Sequence, residues 1–260
     1  MVLLRDQREA LIAHLQKAQA IFQIDAAVAY ERFELTPVQA AYVLGRNAAF
    51  DFGGNACHLY VEYAWPAGMD PQRLEQAWNA MVSHHPALRT VIEDNVWQRV
   101  QPHVPWQSLS VHDQRKLDEH VIAAHREQVR ERLSHNCPPL DIWPILRPEF
   151  SLEDARTVVH CSVDFTIIDY ASLQLLLSEW LARYDDPHRM RPELEASFRD
   201  YVTYEQALCA STTGLRDREW WLQRLNTFPA GPDIPRLQAG ALSHSIQFKH
   251  LHARLSLPAW

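Results

Sequence analysis

An apolar run that ends in two carboxylates constrains the fold of this chain more than any other segment. Residues 157–163 are mostly apolar, and the length of this run predicts a central strand buried on both faces. Asp164 and Asp169 follow directly, and the apolar spacing from Tyr170 onward predicts a helix. Because an unpaired buried carboxylate is costly, two of them between a strand and a helix need either a partner or a function.

Each of these polar residues admits two interpretations. Asp164, at the strand end, lies where open α/β sheets place ligands, or it is an ordinary surface carboxylate. Asp169 falls at the helix N-cap position, so it is either a plain cap or part of a site. Ser172 follows three positions later and is a candidate nucleophile, although the same position suits a capping-box companion. The residues alone leave these alternatives open.

Two arginines are candidate partners for the carboxylates. Arg46 follows Gly45 at a predicted helix end, and Arg89 lies between a predicted helix and a predicted strand. A bidentate arginine would keep a buried aspartate ionised and would fix its geometry. The alternative is that both arginines are solvated surface charges.

Apolar periodicity and turn signals predict an α/β or α+β chain in which helices pack on a mixed β-sheet. Thr36 and Asp70, each followed by a proline, are predicted helix caps. The predicted helices are 3–22, 36–45, 70–84, 113–133, 170–184, 197–210 and 215–225. The predicted strands are 58–65, 90–92, 96–100, 142–146, 157–163 and 245–257.

Composition and the absence of motifs argue against several classes of function. The net charge of -7 and the lack of a Lys/Arg cluster argue against nucleic-acid binding. The 14 histidines include no HExxH pattern, and no GxGxxG or GxxxxGK[ST] occurs, so we expect neither a metal nor a nucleotide site. The 4 cysteines lack CxxC pairing, which favours a reducing cytoplasm. The sequence contains neither a signal-peptide pattern nor a run of ~20 apolar residues, so we expect no membrane span.

Four segments together resemble the heterocyclization (Cy) domains of nonribosomal peptide synthetases, within the condensation-domain superfamily. Residues 33–46 resemble FPLTPVQxAYxxGR, residues 85–92 are similar to RHPMLRxxF, and residues 164–179 resemble DxxxxDxxSxxxLxxEL. Residues 228–235 look like the proline-rich motif that follows, and Cys57-His58-Leu59-Tyr60 looks like siderophore-type members that form thiazolines. The departures are Glu34 in place of proline and Trp180 in place of leucine.

The resemblance implies a chloramphenicol-acetyltransferase-like fold of two lobes around a tunnel. Residues 33–260 would form the N-terminal lobe and the start of the connection between lobes, and residues 1–32 a helical docking or linker segment. The C-terminal lobe would lie outside this chain. Because family members draw further catalytic groups from that lobe, we expect these residues alone to be inactive.

The resemblance also implies an activity. Acyl or peptidyl carrier proteins would deliver an acyl donor and a cysteinyl, seryl or threonyl acceptor on phosphopantetheine arms, with no cofactor bound directly by the chain. Amide formation would be followed by cyclodehydration to a thiazoline or oxazoline. Because DxxxxD stands where condensation domains carry HHxxxDG, no general-base histidine is expected there. Asp169 would be a structural aspartate held by Arg89, while Asp164 would face the tunnel.

Two other functions remain open at this point. The chain could be a free-standing half-domain that binds a carrier protein or a partner lobe without catalysis. It could also be a generic acyltransferase of the same superfamily, although the missing HHxxxDG argues against that alternative.

Overall fold

The computed structural model describes residues 22–49, 53–135, 137–188, 192–233 and 253–255. The predicted helix 3–22 and the predicted strand 245–257 lie almost entirely outside these residues. Both elements therefore stay predictions, as does the separate role of residues 1–32.

Helices and strands are interleaved along the described residues. The α-helices are α1 (Pro37–Gly45), α2 (Pro71–His84), α3 (Glu119–His135), α4 (Tyr170–Asp185), α5 (Phe198–Ala210) and α6 (Thr212–Leu225), with 3-10 turns at Ala26–Val28 and Pro86–Arg89. The strands are β1 (Phe33–Glu34), β2 (His58–Trp65), β3 (Thr90–Glu93), β4 (Trp97–Val100), β5 (Ser110–Asp113), β6 (Glu149–Leu152) and β7 (Thr157–Asp164). Among the described helices, none has the length and apolar character needed to cross a bilayer.

The described strands form two sheets. A three-stranded antiparallel sheet has the order β1-β4-β3, and a four-stranded sheet has the order β2-β7-β6-β5. In the larger sheet β7 is antiparallel to both of its neighbours, whereas β5 and β6 are parallel. The predicted mixed sheet packed by helices is confirmed, and the apolar run 157–163 forms a central strand, as its composition predicted.

The main core lies between one face of the larger sheet and helices α2 and α4. Alternate residues of β7, including Val159 and Val163, point into this core and are fully buried. Trp180 of α4 stacks among them, with its ring centroid 4.5 Å from that of Trp78, and its indole N–H donates to the carbonyl of Leu74 at 3.0 Å. The apolar stripes predicted for α2 and α4 therefore meet each other over the sheet.

Local signals set several element boundaries as predicted. Thr36 and Gln39 form a reciprocal capping box at the start of α1, with Pro37 in the first turn. Asp70 caps α2 by accepting from the backbone N–H of Arg73 at 2.8 Å. The hairpin between β3 and β4 turns at Asp94 and Asn95, whose φ angles of 53° and 59° suit a tight hairpin turn.

One predicted helix begins later than expected, and one predicted strand is displaced. The helix predicted over 113–133 begins only at Glu119, because Lys116 has a φ of 63° and the carboxylate of Asp113 accepts the backbone N–H of Arg115. Residues 110–113 instead form the edge strand β5. The strand predicted at 142–146 is irregular, since Pro144 has no N–H to donate to a ladder, and the strand lies at β6.

Candidate functional site

The carboxyl end of β7 holds a buried, fully satisfied carboxylate. The side chain of Asp164 is 2% exposed. Its Oδ2 accepts from Nη2 of Arg46, and its Oδ1 accepts the backbone N–H of Thr166 at 2.8 Å. The prediction that an arginine partners a buried aspartate is confirmed for Arg46, and this pairing compensates the buried negative charge.

Helix α1 fixes the turn between β7 and α4 at two points. Arg46, which follows α1 directly, holds Asp164 and also donates through Nη1 to the carbonyl of Pro138 at 3.2 Å. Gln39, in the first turn of α1, donates through Nε2 to the carbonyl of Thr166 at 2.8 Å. The sequence analysis gave no role to Gln39. The feature that could have indicated one is a polar amide side chain at a position that the helical pattern predicts to be buried. The first and third motifs are therefore bonded to each other.

Asp169 is an exposed helix cap. Its Oδ1 accepts the backbone N–H of Ser172 at 2.7 Å at the start of α4, and this hydrogen bond lowers the pKa of the Asp169 carboxyl. The N-cap interpretation is confirmed. Ser172 is likewise exposed on the first turn, so its observed contact is with the cap.

The expected pairing of Arg89 with Asp169 is wrong. Arg89 is buried, and its guanidinium donates to the carbonyls of Val82 at 3.1 Å, Gln101 at 2.6 Å and Pro102 at 3.2 Å. The physical reason is local, because Arg89 ends the turn that follows α2 and so reaches the carbonyl of Val82 in the last turn of that helix, which has no intrahelical partner and carries partial negative charge. The carbonyls of Gln101 and Pro102, which follow β4, bind the other side of the guanidinium.

A histidine and a cysteine lie near Asp164 and were given no role by sequence reasoning. His58 faces Asp164 directly across the β2–β7 pairing. Its Nε2 lies 2.6 Å from the carbonyl oxygen of Ser134, and its Nδ1 lies 3.1 Å from Sγ of Cys137. Burial raises the pKa of the Cys137 thiol, with Arg46 acting in the opposite direction. The strand period in β2, which places residues 58, 60 and 62 on one face, was the signal that could have found this site.

The same face of the sheet continues as a polar network beneath α3. His160 is fully buried, with Nδ1 2.7 Å from the hydroxyl of Tyr60 and Nε2 2.9 Å from that of Ser151. The Tyr60 hydroxyl donates to Glu62, which also binds Arg130 of α3 through both carboxylate oxygens. Burial lowers the pKa of His160 to about 4, so this imidazole is neutral at physiological pH.

A solvent-accessible cleft opens at the edge of this polar face. Its volume is about 590 Å³. The lining includes Arg132 and Leu133 of α3, Pro138 and Trp143 of the following segment, and Ser162 of β7. The cleft therefore connects the surface to the strand that ends at Asp164.

A second polar cluster joins the second motif to the third. His84, His85 and Glu179 place possible ligand atoms within 4.8 Å of one another. His85 contacts one carboxylate oxygen of Glu179 at 2.8 Å, and Arg183 contacts the other at 2.8 Å. Since both carboxylate oxygens are already bound, the cluster is satisfied as an ion-pair network.

Comparison with known proteins decides the family. The family model described as "Condensation domain" matches residues 30–256. The chain belongs to the condensation domain family. Among solved structures, the cyclization-docking bidomain of the synthetase EpoB from Sorangium cellulosum superposes with a TM-score of 0.77 at 27% identity, covering 88% of this chain and 46% of that chain. The expected relationship to heterocyclization domains and the chloramphenicol-acetyltransferase-like fold are thereby confirmed.

Curated relatives of this condensation-family chain are large synthetases. Pyochelin synthetase PchF of Pseudomonas aeruginosa (strain UCBPP-PA14) is 58% identical over 99% of this chain. Phenyloxazoline synthase MbtB of Mycobacterium sp. (strain MCS) is 33% identical over 78% of it. The chain spans 14% of the length of the first and 17% of the second.

Proposed function

We propose that this chain is the N-terminal lobe of a heterocyclization domain in a nonribosomal peptide synthetase. The observation that carries the proposal is the bonding of the DxxxxD segment to the first motif, through Arg46 to Asp164 and Gln39 to Thr166. Asp164 is the first aspartate of DxxxxD, the motif that stands where condensation domains carry HHxxxDG. The names of the relatives, a pyochelin synthetase and a phenyloxazoline synthase, support the same branch.

The proposed reaction has two stages. An acyl group on one carrier protein is joined to cysteine, serine or threonine on another, and the side-chain thiol or hydroxyl then attacks the new carbonyl with loss of water. Phosphopantetheine arms of the carriers bring both reactants, and the chain itself binds no further cofactor. Holding two thioesters in one tunnel removes much of the entropic barrier to their reaction.

We infer that Asp164 acts as a positioning residue in this reaction. Its side chain is 2% exposed and each oxygen already accepts a hydrogen bond, from Arg46 and from the backbone of Thr166, so it does not reach a substrate without rearrangement. Its charge fixes the Arg46 guanidinium at the end of β7. Ser172 and Asp169 lie on the exposed first turn of α4, and their proposed contribution is to start that helix.

The proposed partner of the lobe is the second lobe of the same fold. No residue of α6 is buried, and its apolar side chains are exposed, including Trp220 at 46%, Trp221 at 57% and Leu225 at 55%. The solved cyclization-docking chain is more than twice as long as the part this chain covers. An exposed apolar surface of this kind is typical of an interface, and the second lobe is the occupant that completes the tunnel.

A carrier-loaded cyclization assay tests the proposed function. The chain is assayed alone and joined to the second lobe of the PchF condensation domain, with cysteinyl and acyl carrier proteins as substrates. We expect a mass loss of one water from the condensed product only with the joined protein. Condensation without loss of water would contradict the heterocyclization assignment.

A second candidate, a half-domain that binds carriers without catalysis, is favoured by the same exposed surface of α6. Isothermal titration with a holo carrier protein separates the two candidates. Carrier binding by the chain alone, together with no product from the joined protein, would favour the binding role.

A further inference from the structure

His58 and Cys137 form a hydrogen-bonded dyad whose proton positions follow from their partners. Nε2 of His58 lies 2.6 Å from the carbonyl oxygen of Ser134. Because a carbonyl oxygen only accepts, Nε2 must carry the hydrogen. Nδ1 then holds a lone pair, and the Cys137 thiol, 3.1 Å away, donates to it.

This arrangement is that of an activated nucleophile. A thiol lies within reach of a base, and the base is oriented by a third group, the Ser134 carbonyl. Burial raises the pKa of Cys137, so the resting sulfur is a neutral thiol that needs a base at the moment of attack. His58 is placed to be that base.

The ion pair of Arg46 with Asp164 lies beside the dyad, and a cleft opens at residues next to the dyad in the sequence. Arg46 donates to the carbonyl of Pro138, the residue next to Cys137, and so holds its guanidinium nearby. Leu133 and Pro138, which flank Ser134 and Cys137 in the sequence, line the cleft of about 590 Å³. A volume of this size accommodates a small acyl group with part of a pantetheine arm.

We propose that Cys137 accepts acyl groups from thioesters by thiol–thioester exchange, with His58 as its general base. The Cys137 sulfur attacks the thioester carbonyl carbon while its proton passes to Nδ1 of His58. The bond between that carbon and the pantetheine sulfur breaks, and the leaving sulfur takes the proton from Nδ1. The exchange is redox-neutral and consumes no co-reactant. The choice of acyl thioesters as substrates rests on the proposed function.

The test uses the 260-residue chain and a small free thioester, benzoyl-N-acetylcysteamine. Peptide mass spectrometry follows acylation of Cys137 and of Cys209, an exposed cysteine, in the same sample. We expect Cys137 to react faster than Cys209, and His58→Gln to slow Cys137 by ~100-fold or more. Cys137→Ser removes the adduct, and Cys209→Ser leaves the Cys137 rate unchanged.

Several results would overturn the proposal. One is an acylation rate at Cys137 that is no greater than the rate at Cys209. Another is an unchanged acylation rate at Cys137 in His58→Gln, provided that this variant has a normal melting midpoint. If His58→Gln does not fold, the pH profile of the unaltered chain decides. Base catalysis predicts that Cys137 is acylated at a lower pH than Cys209, whereas the same pH dependence at both cysteines indicates an unassisted thiol and rejects the dyad.

The adduct test and the ring-forming assay fail independently. The adduct forms from a free thioester, so its absence overturns the role of the dyad and leaves heterocyclization untouched. A failed ring-forming assay, conversely, leaves the measured rates at Cys137 and Cys209 valid.

Discussion

At the scale of single residues, the two aspartates of the DxxxxD segment differ in what surrounds them. Asp164 is buried and bound to Arg46, whereas Asp169 is exposed and bound to a backbone N–H. A buried ion pair is costly to break, because the remaining partner keeps its charge without compensation. A surface cap loses only one hydrogen bond.

The two aspartates should therefore respond differently to truncation. We expect Asp164→Ala to lower the free energy of unfolding by about 3–5 kcal/mol. Asp169→Ala, the matched control at the other end of the DxxxxD segment, should lower it by about 1 kcal/mol. Urea denaturation of both variants measures the difference, and equal losses would contradict the assignment of Arg46 to Asp164.

The separation of Arg89 from Asp169 gives a second prediction. Because Arg89 donates to backbone carbonyls, the effects of Arg89→Met and Asp169→Ala on the free energy of unfolding should add to within about 0.5 kcal/mol. A double-mutant cycle in urea measures the coupling. A coupling energy well above that value would restore the ion pair that the resemblance implied.

Which arginine pairs with which aspartate could not be predicted from the sequence. Arg46 and Arg89 both stand at helix ends, and both satisfied the same argument about charge. The choice depends on where α1 and α2 pack relative to β7, which is tertiary information. The cap at Asp169, in contrast, follows from residues within three positions of it, and this local feature was predicted.

At the scale of elements, the same contrast between local and distant determinants recurs. Helices α2 and α4 match their predicted ranges closely because cap residues and a strong apolar period fix them. Strand β5 was missed because only its pairing with β6, distant in sequence, makes it a strand. Strand β6 was missed because it is only 4 residues long, too short for its alternation of polar and apolar residues to stand out.

The layer between α3 and the sheet predicts a pH dependence. The pKa of His160 is about 4 in the folded protein and about 6.5 when unfolded, so the unfolded state binds the proton more readily. Its contribution to stability is complete above pH ~6.5 and is lost as the pH falls toward 4, by about 3 kcal/mol in total. The acidic and basic groups around it include Glu62, Glu149, His112, His125 and Arg130.

Urea denaturation between pH 7 and pH 4.5 tests this dependence. In His160→Gln the free energy of unfolding should vary less with pH over that range than in the unaltered chain. Carboxylates such as Glu62, whose pKa is lowered by Arg130 and Tyr60 despite burial, contribute mainly below that range. Identical pH profiles of the two proteins would contradict a neutral buried His160.

At the scale of the whole molecule, α6 presents an exposed apolar surface. The rings of Trp220 and Trp221 lie 4.8 Å apart, and Trp221 also contacts Phe228. A contiguous exposed group of this kind favours association through the hydrophobic effect. Sequence periodicity predicted the helix but not its exposure, because an apolar stripe has the same spacing in a buried helix and in an exposed one.

Association of the chain should accordingly depend on this surface. We expect Trp220→Ser combined with Trp221→Ser to reduce self-association of the chain, measured by sedimentation velocity, with little change in the melting midpoint. Leu175→Ser, which removes a 64% exposed leucine from α4, is the control and should leave association unchanged. Equal self-association of the unaltered chain, the double tryptophan variant and Leu175→Ser would show that α6 does not mediate self-association.

The two bonds from α1 to the β7–α4 turn have a consequence for engineering. Gln39 and Arg46 sit on one short helix, and the atoms they hold, on Thr166 and Asp164, belong to a segment more than a hundred positions away. Residues 37–46 and 164–169 should therefore be exchanged together. A chimaera that exchanges either segment alone between synthetases of different branches would contain one side of these two contacts without the other.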